Sequence, residues 1–308
     1  MFIDLHTASA FSFLRGASLP DALITRAAEL GYPALALLDA DGVYGAPQFY
    51  RAAKKAGMKA IVGAELTMGG ASVGGAGKDE RPWTMPVLVS SAEGYRNLCR
   101  TITQGKLRAA KGEARYTLKD FDGRASGLIA LAGVSALNAE RHGVGGLVDQ
   151  LIGVFGRSNV WVELQRHLLR DEASGNRALI DLAEAFRVPL MATNGVRFAT
   201  PADRPLFDVL TCIHHGVTLE QAGRRLVANA ERYLKPPEVM TRLFSDLPQA
   251  LAGTEALAER LDFTLANLGY KFPEYPVPAG ETQATLRKRH QLNRNRVSGN
   301  LLFSGFSS

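Results

Sequence analysis

The chain has 308 residues, 46% apolar and 21% charged, with 36 Lys and Arg against 30 Asp and Glu. That is ordinary globular usage and excludes a collagen, a coiled coil and a wholly disordered chain. No run approaches the ~18 apolar residues of a membrane helix, and Asp4 stands where a secretory signal would be apolar. At roughly 150 residues per domain, the length suits one large domain or two ordinary ones.

The net charge of +6 is unevenly placed: residues 287–308 hold five basic residues and no acid, so residues 1–286 carry only +1. The tail is Asn-, Ser- and Gly-rich and reads as a disordered basic terminus. Cys99 and Cys212 lie far apart in no metal-like spacing, which fits a reduced cytoplasmic protein without disulfides.

Short apolar, β-branched runs predict strands at 2–6, 34–39, 60–66, 85–90, 127–133, 160–165 and 188–193. Several are apolar throughout, as strands covered on both faces should be. Helices are predicted between most of them. Ser18, Pro20 and Asp21 form a start signal, with an N-cap hydroxyl, a first-turn proline and an acid at the positive dipole end. Gly31 follows as the stop. Further helices are predicted at 46–56, 92–107 and 171–186, and the glycine-rich stretch 68–82 reads as an exposed loop. Strands alternating with helices predict a parallel α/β barrel or a doubly wound sheet. After about Thr200 the pattern turns helical, at 205–213, 236–243 and 247–261, and Pro273, Pro276 and Pro278 then read as a stiff linker.

In parallel α/β folds, functional residues gather at the C-terminal ends of strands. Those ends bring His6, Asp39 and Glu65 to one mouth. They are ligand types for Zn²⁺ or Mn²⁺ in phosphoester hydrolysis, where the metal generates hydroxide. A multinuclear site would want a second imidazole beside His6, and position 8 is Ala8. Ala40 follows Asp39, and the seventh strand leads to Gly195 and Arg197. Arginine does not ligate metals, and its permanent charge opposes a bound cation.

Other motifs point elsewhere. The segment 70–79 resembles a phosphate loop, but Lys78 is followed by Asp79 rather than a hydroxyl residue. Asp39 with Asp41, and Asp120 with Asp122, resemble paired metal carboxylates but read as turn or capping chemistry. His214 and His215 lack partners at ligand spacing. Phe11 and Phe13 read as core closure across the mouth.

The run from Leu5-His6 through Ser9, Phe11, Phe13, Arg15, Gly16 and Ser18 resembles the opening of the PHP (polymerase and histidinol phosphatase) domain of bacterial replicative polymerases. Matching segments continue in order: Leu38-Asp39, Gly42-Val43-Tyr44-Gly45, Gly63-Ala64-Glu65, Glu163-Leu164-Gln165-Arg166-His167, Ala192-Thr193-Asn194, Tyr233-Leu234-Lys235 and Tyr275-Pro276. The resemblance is to the N-terminal part of the DNA polymerase III alpha subunit, most like its error-prone subtype, over about residues 1–285. It implies a distorted seven-stranded (β/α) barrel over 1–200, a helical extension and Pro-rich linker over 201–280, and a disordered basic tail over 281–308. Metal-binding members carry ligands that His6, Asp39 and Glu65 match; Ala8, Ala40, Gly195 and Arg197 do not, and Thr84 falls about where some members carry a further histidine. His6, Asp39, Glu65 and His167 are therefore expected as a vestigial metal pocket, without catalytic residues and open to Zn or Mn only as a remnant. The palm, with its Mg²⁺ carboxylates, is expected to be missing from this chain. The resemblance implies DNA-templated nucleotidyl transfer in replication or repair for the full-length family, with DNA, replication or translesion proteins and the remainder of the polymerase as partners. The alternative is a free-standing metal-dependent PHP phosphoesterase or exonuclease.

Overall fold

The computed structural model describes residues 2–69, 82–110, 112–137 and 144–268, with Thr282 and Thr285. Residues Met1–Ala266 form one compact unit and Asn267–Ser308 a second. The loop 70–79, the proline stretch and the basic tail fall outside the described residues, apart from those two threonines.

Six strands form one curled sheet in sequential order: β1 (Ala34–Ala40), β2 (Lys59–Met68), β3 (Trp83–Val89), β4 (Leu128–Ala132), β5 (Val160–Gln165) and β6 (Leu190–Thr193). The sheet is not all parallel. β3 runs antiparallel to both β2 and β4, whereas the β1–β2, β4–β5 and β5–β6 pairs are parallel. A parallel pair needs a long crossover, usually helical, and 68–82 carries no helical pattern.

The run 2–6 is not a regular strand. It lies between β1 and the chain after β6: the amides of Ala36 and Leu38 donate to the carbonyls of Asp4 and Thr7, and the amide of Val196 donates to that of His6. Two residues along β1 thus match three along the N-terminal segment, which is bulge geometry. The Asp4 carboxylate supplies the cause. It accepts the backbone N–H of His6 at 2.9 Å and of Asn194 at 3.0 Å, donors that a strand ladder would have used.

Helices α1 (Pro20–Glu29), α2 (Ala46–Lys55), α3 (Ala92–Arg108), α4 (Val134–Leu137), α5 (Val144–Phe155) and α6 (Glu172–Phe186) join the strands. Leu19, not Ser18, is the N-cap of α1. Ser18 Oγ instead accepts the Ala199 amide at 2.8 Å, tying the first loop to the last. Gly31 stops α1 with φ 72°, as its position requires.

Beyond residue 200 lie α7 (Arg204–His215), α8 (Leu219–Ala222), α9 (Pro237–Leu243) and α10 (Pro248–Glu259). Leu257, Ala258 and Leu261 share a buried cluster with Ile61, Ile129, Trp161 and Met191. Lys59 Nζ donates to the Ala258 carbonyl at 2.8 Å. Since Lys59 and Leu190 begin their strands, α10 seals the N-terminal end of the half-barrel. Each fully buried Leu or Ile in this cluster contributes about 1.5–3 kcal/mol. Strand periodicity places Ile61 and Glu65 on one face of β2, and Trp161 and Glu163 on one face of β5. The interior therefore has an apolar floor and a charged top.

Among the described residues, no helix is long and apolar enough to cross a membrane.

Candidate functional site

The charged top is built from β2, β5, the N-terminal segment and the chain after β6. Glu65 is buried towards the C-terminal end of β2 and receives a two-pronged contact from Arg197: Nη1 donates to Oε2 at 2.8 Å and Nη2 to Oε1 at 3.0 Å. His6 Nδ1 donates to Glu163 Oε1 at 2.7 Å, and His6 Nε2 lies 3.8 Å from Glu65 Oε1. Glu163 Oε1 also accepts from Gln165 Nε2 at 3.1 Å and from the Thr193 hydroxyl. Arg232 reaches in from a loop beyond α8, with Nη1 3.4 Å from both Gln165 Oε1 and the Gly195 carbonyl.

The charges hold one another in place. Burial alone would deprotonate His6, but Glu163 and Glu65 outweigh it and raise its pKa to about 10. Burial alone would raise Glu65; Arg197 and His6 instead hold it well below the usual carboxylate range. Glu163 is lowered in the same way, its burial overridden by His6. Arg232 is lowered to about 10 by burial and then by the neighbouring Arg197, and remains a cation at neutral pH. Asp4 is raised to about 6 because burial outweighs the His6 and Asn194 amides and the His6 charge that favour its carboxylate.

Of the four residues expected at the mouth, His6 and Glu65 come together. Asp39 is engaged separately. Its Oδ1 accepts the Ser9 amide and hydroxyl, both at 2.8 Å, and the Ser12 hydroxyl at 2.9 Å, while Oδ2 accepts the Gly45 amide at 3.2 Å. His167 is also held away. Its Nδ1 lies 2.7 Å from Glu172 Oε1 and its Nε2 2.9 Å from the Asn194 carbonyl, so both ring nitrogens face acceptors. Glu163, read in the sequence only as part of the matched strand-end segment, completes the cluster with Arg232 and Asp4, none of them expected there as a site residue. For Glu163 a signal existed, since it shares an alternating face with Gln165 at a strand end. For Arg232 no local pattern existed.

These residues do not fit a metal centre. Both Glu65 oxygens carry guanidinium protons, Asp39 is consumed by serine donors, and two arginines bring permanent charge to the mouth. Among the described residues, no group of three or more His, Cys, Asp or Glu could hold a metal ion.

The remaining motifs resolve as local structure. Asp120 closes a capping box at Thr117 and pairs with Arg108 at 2.7 Å. Asp41, at φ 51°, accepts the Thr67 amide at 2.7 Å. His214 and His215 are exposed at the end of α7. Phe13 does not close the core: it is 68% exposed at φ 45° and meets Tyr44 edge-on.

Fold and site define an α/β half-barrel whose polar residues converge at the strand ends. A family model described as PHP domain matches residues 4–167, and the chain belongs to that family. It is similar to curated proteins named error-prone DNA polymerase. That of Anaeromyxobacter dehalogenans (strain 2CP-1) is 38% identical over 281 residues, which are 90% of this chain and 24% of the relative. That of Bordetella parapertussis is 36% identical over 294 residues, 92% of this chain and 27% of the relative. That of Caulobacter vibrioides is 32% identical over 285 residues, 92% and 25% respectively. The chain thus spans about a quarter of the length of these relatives, and is a PHP domain homologous to their N-terminal part. Among solved structures, an amidohydrolase from Chromobacterium violaceum, with bound sulfate and no metal, aligns over 63% of this chain and 86% of its own with a TM-score of 0.42 and 15% identity.

Proposed function

We propose that this chain is the PHP module of an error-prone-type DNA polymerase III alpha subunit, and that it serves as a scaffold rather than a hydrolase. The observation that carries this reading is the Arg197–Glu65 pair, a fixed guanidinium on one of the residues matched to metal ligands. His6, Asp39, Glu65 and His167 are then remnants of a ligand set whose polar groups now hold the fold together. In this reading the 2–6 segment is the first strand of a distorted seven-stranded barrel over 1–200. Residues 201–280 lead towards a polymerase palm, and 281–308 form a solvated basic tail. DNA-templated synthesis and its Mg²⁺ ions belong to the palm. DNA and replication or translesion proteins are the partners, in the cytoplasm.

The test uses the 308-residue chain in two assays. Primer extension with Mg²⁺ is expected to give no synthesis, and phosphoester or 3′-exonuclease assays with Mn²⁺ or Zn²⁺ no turnover. Robust synthesis would overturn the module reading. Hydrolysis that disappears in His6→Ala would replace the scaffold with a phosphoesterase.

A further inference from the structure

We infer that the mouth of this pocket is closed by two resident arginine cations, Arg197 and Arg232, and that residues 229–235 form a strap that delivers the second and pins it across the barrel. The strap is anchored at successive points. Asn229 Nδ2 donates to the His167 carbonyl at 2.6 Å. The Asn194 side-chain amide donates to the carbonyls of Glu231 at 2.7 Å and Tyr233 at 2.6 Å. The Arg197 amide donates to the Arg232 carbonyl at 2.8 Å, and the Leu234 amide to that of Phe198 at 3.2 Å. Lys235, buried, returns its ammonium to Asn194 Oδ1 at 3.0 Å and to Glu231 Oε2 at 3.0 Å. Tyr32, in the turn between α1 and β1, donates its hydroxyl to the Lys235 carbonyl at 2.7 Å. The strap therefore joins the β5–α6 loop, the chain after β6 and the turn before β1.

Gly195 makes room for the second cation. A Cβ there would stand 2.8 Å from Arg232 Nη1 and 2.7 Å from Gln165 Oε1, and the backbone has φ 52°. A side chain at 195 would crowd the ends of Arg232 and Gln165, so the guanidinium keeps this position only while residue 195 lacks a Cβ. Charge balances in the same way. Glu65, Glu163 and Asp39 are the carboxylates that raise the Arg197 guanidinium, and His6, Arg197 and Arg232 are the cations facing them. A divalent ion entering this mouth would meet two fixed positive charges and no free carboxylate pair. The strap thus gives the region after residue 200 a structural hold on the barrel mouth.

Three measurements on the full chain test this. Metal analysis after growth with Zn²⁺ and Mn²⁺ should find less than about one tightly bound ion per ten chains, with the same melting temperature in EDTA as in excess Mn²⁺. Stoichiometric tightly bound metal, or a metal-dependent melting temperature, overturns the inference without need of a variant. In a double-mutant cycle, Gly195→Ala should lower the melting temperature by about 5 °C in the wild-type background and by about half that in Arg232→Ala, the φ strain being common to both arms. Additive effects overturn the shared-space argument. Hydrogen exchange at the Leu234 and Arg197 amides should quicken about tenfold in Asn194→Ala, which removes the amide holding the Glu231 and Tyr233 carbonyls, and stay near wild type in Arg232→Lys. Unchanged exchange in Asn194→Ala overturns the strap.

Discussion

Arg197 grips Glu65 through two parallel hydrogen bonds of 2.8 and 3.0 Å, and both side chains are largely shielded from water. The fork fits a guanidinium and not an ammonium. Because the two residues are 132 positions apart, one contact links the end of β2 to the chain after β6. Removing Arg197 leaves a buried carboxylate balanced only by His6, 3.8 Å away, and breaking such a pair costs about 3–5 kcal/mol.

Arg197→Met should therefore lower the urea midpoint at unchanged slope by an amount equivalent to about 3 kcal/mol. Arg197→Met combined with Glu65→Gln should be less destabilised than Arg197→Met alone, since no charge is then stranded. Equal loss in the single and double variants would show that packing, not charge, accounts for the effect.

His6 gives a pH dependence with a definite sign. Its folded pKa is about 10 against 6.5 for the free side chain. A raised pKa means that the folded state holds the proton more tightly, so the stabilisation is complete below pH 6.5 and is lost as pH rises through about 10. Melting temperature should fall over that window more steeply in the wild type than in His6→Gln, and Glu163→Gln should flatten the wild-type curve towards the variant. Lysine and tyrosine titration is common to all three curves and cancels in the comparison. Parallel curves for wild type and His6→Gln would refute the assignment.

Strand placement was legible because buried strands show as short apolar runs, and β1, β2, β4 and β5 fall within a few residues of expectation. The reversed direction of β3 was not, because the glycine-rich stretch 68–82 reads only as an exposed loop and carries no signal of strand direction. The irregular first segment was hidden because its cause is one side chain: Asp4 competes with the backbone ladder, and composition shows nothing of that. Helix α5 was masked by Gly145, Gly146 and Gly153, which weaken local propensity while its Leu147, Val148 and Leu151 pack in the core. In the site, residue type led to His6 and Glu65. Arg232 arrives by tertiary placement alone, into space vacated by a glycine at 195.

Asp39 tests whether a ligand-type residue has become a structural one. Three donors converge on Oδ1, and the Gly45 amide meets Oδ2. In Asp39→Asn one oxygen becomes an amide NH2 group, so at least one of these donors faces another donor. The expected cost is about 1–3 kcal/mol in chemical denaturation, the penalty of leaving a buried polar group unpaired. Metal content should be unchanged. A variant as stable as wild type would mean that the serine loop tolerates the swap and that Asp39 has another role.

Gly253 tests how the helical region is held to the sheet. It lies in α10, where a Cβ would stand 2.0 Å from the Leu190 carbonyl oxygen, with Met191 Cα 3.4 Å away. The obstacle is backbone at the start of β6, which no rotamer change can clear. Alanine is the better helix former by about 1 kcal/mol, so local propensity alone predicts a gain. Steric exclusion opposes it, because α10 must retreat from β6 and loosen the contacts of Leu257 and Leu261 with the barrel floor. Overpacking of this kind costs about 1–3 kcal/mol or more, so Gly253→Ala should be net destabilising, with faster hydrogen exchange in β6. The solvent-exposed Glu259, in the same helix but clear of the sheet, provides the control: Glu259→Ala should leave both readings within error. If Gly253→Ala instead matched or exceeded wild-type stability, α10 would not be seated on β6 as closely as the geometry requires.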